Sequence, residues 1–237
     1  MLNGINVRSI TPSSPTTQIY HLSPSGLTFM FEECRRCFYL ERKLGIRRPR
    51  SPFPKIFGAI DQAMKDRLTG RSLLLAGQPN AVVGRPQLRV ESEPISVAGS
   101  SSQVVLWGWI DSVLEFSDGG FGILDCKTST TKDEHIPLYG RQLHAYAYCL
   151  ERPAPKKPSL RPIKWLGLLV FEPNDFATLS DDRWDASLSG TLSSIQIPRD
   201  DQAFLDLISD VVQLLDRPEP PLAAPTCQYC RYRQAAA

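Results

Sequence analysis

Asp111, Asp125 and Lys127 are the residues of this 237-residue chain whose types and spacing point most directly to chemistry. Alternation in the segment Phe121 to Lys127 places Phe121, Ile123, Asp125 and Lys127 on one side of a strand, with Leu124 and Cys126 on the other. The segment Val104 to Phe116 is equally rich in β-branched and aromatic residues, and Ser117-Asp118-Gly119-Gly120 between the two is a hairpin signal. Pairing the strands brings Asp111, read on the side of Trp107, Trp109 and Val113, close to Asp125. Three ionisable groups on a buried strand pair are costly unless they pair or bind a metal. One Asp–Lys ion pair satisfies one carboxylate, and the second leaves the group net negative, which suits a hard cation. Carboxylates on neighbouring strands can hold Mg2+ or Mn2+ while the ion keeps several waters, one of them able to attack a phosphodiester in line. Lys127 would orient that water or neutralise developing charge. The backbone carbonyl of Cys126 offers a further oxygen ligand, while its thiol points the other way, into the core.

A second constellation is made of cysteine. Cys34-Arg35-Arg36-Cys37 and Cys227-Gln228-Tyr229-Cys230 are two C-x-x-C pairs near opposite ends of the chain. Together they suggest one four-thiolate site that holds either tetrahedral Zn2+ or an iron–sulfur cluster, which spacing does not separate. Such a site closes a very long loop and constrains the unfolded chain. Cys149 reads as core. Arg35, Arg36, Arg47 and Arg48 belong to a run of cations that also includes Arg42, Lys43 and Arg50, which is either a solvated helix face or a patch contacting phosphates.

The elements that must position these residues follow from composition and periodicity. The chain is 42% hydrophobic and 22% charged, with 27 Lys plus Arg against 25 Asp plus Glu, so its net charge is only +2. That excludes a strongly basic nucleic-acid coat and an acidic tail, and makes any nucleic-acid site local. No apolar run approaches the roughly 18 residues of a membrane span; the chain reads as soluble and cytoplasmic, with no membrane partner. Residues 1–22 are expected to be a flexible arm, and residues 23–233 a single domain. A helix is predicted from Ser23-Pro24 onward, with Leu27, Met30, Phe31, Cys34 and Phe38 on one stripe. Further helices are expected over 57–68, 138–150 and 201–215, an edge strand over 87–97 and another strand over 163–171. The order predicts a mixed α/β fold, a central sheet flanked by helices.

Gly108-Trp109-Ile110-Asp111, Asp125-Cys126-Lys127, and Gln142 with Tyr146 resemble the G-x-x-D, (D/E)-x-K and Q-x-x-x-Y motifs of PD-(D/E)XK nucleases. The resembling branch contains the RecB nuclease domain and the CRISPR-associated exonucleases with an iron–sulfur cluster. The resemblance implies a restriction-endonuclease-like fold, with Asp111 and Asp125 as metal ligands, Lys127 assisting the water, and Gln142 and Tyr146 positioning substrate or Lys127. It also implies a DNA substrate, single-stranded or with free ends, cleaved as an exonuclease or end-processing enzyme. Partners would belong to repair or CRISPR adaptation. Many members carry a metal-binding His on the helix before the strands; no His occurs between His21 and His135, and Asp61 stands near that place as a candidate oxygen ligand. The context Cys34 to Tyr39 and the C-terminal cysteines match the iron–sulfur members, which favours a [4Fe-4S] cluster over zinc. Those members have three C-terminal cysteines where this chain has two, and Cys37 would replace the missing ligand. The alternative is a protein that keeps the nuclease fold as a nucleic-acid-binding or scaffold module without cleaving.

Overall fold

The computed structural model describes residues 17–49, 52, 54–75, 78–84, 87–129, 133–178 and 186–236. Its strands are β1 (Ile19–Leu22), β2 (Ser72–Leu73), β3 (Ala81–Val83), β4 (Leu88–Glu91), β5 (Ile95–Ser96), β6 (Gln103–Ile110), β7 (Ser112–Phe116), β8 (Phe121–Thr128), β9 (Ile163–Thr178) and β10 (Ala186–Ile197). Its helices are α1 (Phe29–Glu33), α2 (Arg35–Leu44), α3 (Lys55–Leu68), α4 (Ile136–Glu151), α5 (Asp201–Asp216) and α6 (Gln228–Ala235). Mixed sheets flanked by helices are the architecture that the alternation of patterns predicts.

Six strands form one sheet in the order β10-β9-β8-β7-β3-β2. The hairpin β7–β8 is antiparallel, with Ser112 opposite Leu124, whereas β8 and β9 run parallel and are joined through α4. A parallel pair needs such a crossover, and α4 packs its long apolar face against the sheet. The second sheet is built around β6, with β1 parallel on one side and β4 and β5 antiparallel to it. Glu93-Pro94 separates β4 from β5, as a proline interrupting an edge should.

One stretch of chain therefore serves both sheets, β6 in one and β7 in the other, and Asp111 is the residue between them. Val104, Leu106 and Ile110 face the main core, and the next inward residue is Val113, three positions on. Leu114 and Phe116 enter a second core beneath α3, with Leu124, Cys126 and Trp165. Simple alternation from Trp107 through Val113 thus breaks at Asp111: Val113 is buried, while Trp107 and Trp109 are exposed.

Two N-terminal expectations are corrected. Ile19–Leu22, expected within a flexible arm, is a strand, held by Tyr20 in the core and by pairing with β6. Residues 1–16 lie outside the described residues. The single helix expected from Ser23 is a 3-10 turn, Pro24–Leu27, followed by α1 and α2. Cys34 is extended (φ −162, ψ 103) and caps α2, so the apolar stripe is bent at the residue that turns its thiol toward Cys230. Gly45, with φ 70, closes α2 in the left-handed conformation that glycine adopts without strain.

Candidate active site and cysteine clamp

The register of β7 with β8 sets Asp111 across from Asp125, as the hairpin requires. Asp125 is 3% exposed. Its Oδ1 accepts a hydrogen bond from Gln142 Nε2 at 3.1 Å, and Oδ2 lies 2.6 Å from Lys127 Nζ, a buried oxygen with an ion pair but no aligned hydrogen bond. Burial raises the Asp125 carboxyl to about 6, with Asp111 adding to the rise and the ammonium groups of Lys127 and Lys65 opposing it. Burial works against the Lys127 ammonium, but Asp125 outweighs it and holds that pKa above the ordinary lysine value. The Lys127 ammonium also rests over the Tyr139 ring, 5.0 Å from its centroid.

Asp111 Oδ2 accepts from the Cys126 backbone N–H at 3.1 Å, and Oδ1 pairs with Lys65 Nζ at 2.7 Å. The same ammonium lies 2.7 Å from Asp61 Oδ2. Lys65 is only 7% exposed, and its two carboxylates overcome burial to hold its pKa above the usual lysine value. Sequence reasoning missed this residue. It placed Asp61 near the site, and the structure brings Asp61 there through Lys65. The open side of the group is a pocket of about 330 Å3 lined by Phe57, Gly58, Asp61, Cys126, Lys127 and Thr128.

Gln142 and Tyr146 lie one turn apart on α4, and Gln142 Nε2 reaches the Tyr146 hydroxyl at 3.2 Å as well as Asp125. The pair thus contacts a carboxylate, whereas the neighbour of Lys127 is Tyr139. Burial pushes the Tyr146 phenol well above its ordinary pKa, so it stays neutral. Gly108 has a steric reason to lack a side chain: a Cβ there would stand 3.2 Å from Tyr146 Cε1 and 3.0 Å from Pro24 Cδ. The Cys126 thiol belongs to the second core, and burial pushes it up to about 12.

The donor set offered by Asp111, Asp125 and the Cys126 carbonyl is oxygen, beside the pocket that Cys126 and Lys127 line. Such a set, with one buried carboxylate oxygen not fully satisfied, fits a hard divalent ion. Lys65 and Lys127 are interleaved with the acids. Among the described residues, the one group of three or more metal-ligating side chains with ligand atoms all within 4.8 Å of one another is the cysteine set.

Cys34, Cys37, Cys227 and Cys230 are all buried. Sγ–Sγ distances are 3.8 Å for Cys34 to Cys230, and 3.6 Å from Cys37 to each of Cys227 and Cys230. Burial opposes ionisation of Cys34, but backbone N–H groups of Ala224 and Cys37 bring its thiol down to about 7, which favours a thiolate ligand. The set can hold a metal and joins the N- and C-terminal regions. Two of the four candidate phosphate-binding arginines are drawn into this clamp. Arg48 pairs with Glu33 at 2.6 Å and lies over the Tyr229 ring, and Arg36 donates to the Pro221 carbonyl at 3.0 Å. Arg35 and Arg47 remain exposed.

The family model of the PD-(D/E)XK nuclease superfamily matches residues 62–235. The chain belongs to this superfamily. Its members are in general metal-dependent nucleases, so a nucleic-acid substrate and a divalent metal follow at that level for this PD-(D/E)XK protein. The match includes Asp111, Asp125, Lys127, Gln142 and Tyr146, while Asp61 and the first cysteine pair precede it. Among solved structures, the crystal structure of SSO0001 is similar at 17% identity, covering 91% of this chain and 84% of that chain, with a TM-score of 0.46. No curated protein matches the chain. No helix among the described residues is long and apolar enough to cross a membrane.

Proposed function

We propose that this PD-(D/E)XK protein is a divalent-metal-dependent deoxyribonuclease that acts as an exonuclease or end-processing enzyme on single-stranded or free-ended DNA. The observation that carries the reading is the cluster in which Asp125 pairs with Lys127, Gln142 fixes the buried carboxylate and Asp111 binds the Cys126 N–H, beside a pocket that Lys127 and Cys126 line. Asp111, Asp125 and the Cys126 carbonyl would hold Mg2+ or Mn2+, which supplies an activated water at neutral pH and offsets charge on the phosphate. Gln142 locks the Asp125 rotamer, and the neutral Tyr146 hydroxyl accepts the second proton of the same amide. Lys127, restrained by Asp125 and by the Tyr139 ring, presents its ammonium where negative charge develops on the phosphoryl group. Exposed Arg35 and Arg47 are the remaining candidates from the basic run for contact with the phosphate backbone.

The test is incubation of anaerobically purified protein with end-labelled single- and double-stranded DNA and Mn2+ or Mg2+, beside Asp125→Ala. Metal-dependent cleavage that falls to background in the variant is expected. A folded, clamp-loaded protein that cleaves no form of DNA overturns the reading. It would then leave a nuclease fold that binds without cutting, a reading favoured by one observation: every oxygen of Asp111 and Asp125 already has an internal partner.

For the clamp, the resemblance favours a [4Fe-4S] cluster and the sulfur spacing favours zinc. A tetrahedron drawn with Zn–S bonds of about 2.3 Å has edges of about 3.8 Å; three of the six sulfur pairs stand at 3.6–3.8 Å, and all four sulfurs lie within 4.8 Å of one another. Thiolates on four separate irons would stand further apart, so one ion is the better fit.

A further inference from the structure

Trp107 and Trp109 are 41% and 54% exposed, on the outward side of β6, alternating with the inward Leu106, Gly108 and Ile110. Neighbouring large aromatics on an exposed sheet face form a contiguous apolar patch of the kind that binding surfaces use. On the neighbouring strand β4, Arg89 stands opposite Trp109 and Glu91 opposite Trp107. The Arg89 guanidinium lies 6.0 Å from the Trp109 ring centroid. Glu91 is neutralised by Lys157 at 2.9 Å, and Arg89 has no ion pair among the described residues, so the face carries spare positive charge. Asp111 follows two positions after Trp109, at the junction of β6 with β7, where the Gln87 N–H just before β4 donates to the Asp111 carbonyl at 3.2 Å.

From this juxtaposition we propose that Trp107, Trp109 and Arg89 form a stacking platform for the bases of a single DNA strand, leading its backbone to the carboxylates at Asp111. The proposal deepens the nuclease reading and rests on it. Every base has a π-face, so stacking tolerates any sequence, and Arg89 beside the ring meets the phosphate between successive bases. A duplex keeps its base faces stacked inside and has none to offer, so the platform selects unpaired strands. A protein partner of ordinary apolar character would leave Arg89 unpaired in the interface, whereas a polyanion with flat rings satisfies the charge and the aromatic surface together.

The test measures binding of fluorescently labelled twelve-residue oligo(dT) by anisotropy with no Mg2+ or Mn2+ added and no chelator present, so that cleavage does not enter and the clamp keeps its metal. The Trp107→Ala/Trp109→Ala double variant is expected to bind at least tenfold more weakly than the wild-type chain. Trp109→Phe, which keeps an aromatic face, retains most of the affinity. An abasic oligonucleotide of the same length and charge should bind the wild-type chain as weakly as oligo(dT) binds the double variant. Equal binding of oligo(dT) by the wild-type chain and the double variant, or of abasic and intact strands by the wild-type chain, overturns the proposal. So does sedimentation that shows a wild-type dimer and a monomeric double variant, since the face would then belong to a second copy. Trp-dependent binding by a protein that cleaves nothing rejects the nuclease reading and keeps the platform; cleavage with unchanged binding by the double variant does the reverse.

Discussion

Lys65 carries a positive charge to a nearly water-free position between Asp61 and Asp111, 2.7 Å from each. With Asp125 and Lys127, the group holds three acids and two bases, and the two bases offset most of the repulsion that the acids would feel alone. A divalent ion held by Asp111, as proposed above, would compete with Lys65 for Oδ1. Lys65→Met should therefore lower the unfolding free energy of the metal-free protein by about 2–3 kcal/mol, since it leaves two acids without their shared partner. Added Mn2+ should then recover more thermal stability in the variant than in the wild-type chain, because the ion supplies the charge that was removed. Melting curves across a Mn2+ titration check this, and an equal response of both proteins would contradict it. Asp125 and Lys127 were legible from strand alternation and Asp111 from the hairpin register, although the face expected to be shared by Trp109, Asp111 and Val113 breaks at the junction of β6 with β7. Lys65 was not: a lysine four residues after an aspartate on an amphipathic helix looks like an ordinary surface pair, and only the packing of α3 against β8 buries it. The contacts of Arg36 and Arg48 beside the clamp were equally hidden, since a basic run does not reveal which guanidinium groups the fold will engage.

The helices α3, α4 and α5 and the hairpin β7–β8 lie close to where periodicity places them, because each has a long or strongly patterned apolar face. Short or exposed elements carried no such signal. β1 has four residues, and β10 is the Ser-, Gly- and Thr-rich stretch Ala186–Ile197, whose hydrogen bonding to β9 rather than burial defines it as a strand. β1 also depends on contacts that no local pattern encodes. Tyr20 donates its hydroxyl proton to Asp216 at the end of α5, at 3.0 Å, and Ser100 and Ser102 donate to the same carboxylate at 2.6 and 2.7 Å. Partial burial works to raise the Asp216 pKa, but these three hydrogen bonds outweigh it and hold the carboxyl below its usual range. A lowered folded value means that ionised Asp216 stabilises the protein above its unfolded pKa of about 3.9. That contribution is lost as pH falls through the folded value. Asp216→Ala should cost about 1 kcal/mol near neutral pH, and chemical unfolding at a series of pH values should show the gap between variant and wild type closing below pH 4. A gap that stays constant into acid would show that the loss comes from packing instead.

For the whole molecule, the clamp is the longest-range constraint: Cys37 and Cys227 are 190 residues apart in sequence and 3.6 Å apart at sulfur. Cross-linking a loop of that length is worth roughly 5 kcal/mol on the chain-entropy model. The same ends are tied by Tyr39, whose hydroxyl donates to the Arg217 and Pro218 carbonyls, and by Lys43, which donates to the Leu215 and Arg217 carbonyls at the end of α5. Cys227→Ser, or removal of the metal by a chelator, is expected to lower the melting temperature by more than 10 degrees for a stability loss of that order. Elemental analysis should find one zinc per chain, and four irons per chain would select the cluster instead.

The clamp also decides how the protein bears mechanical load. With a metal bound to the four cysteines, tension entering at the start of α2 and leaving through α6 would pass across metal–sulfur bonds and bypass most of what lies between Cys37 and Cys227, including the sheet that carries Asp125 and the pocket beside Lys127. A machine that tugged on both ends would strain the thiolates first, and the nuclease fold would feel the pull only after they let go.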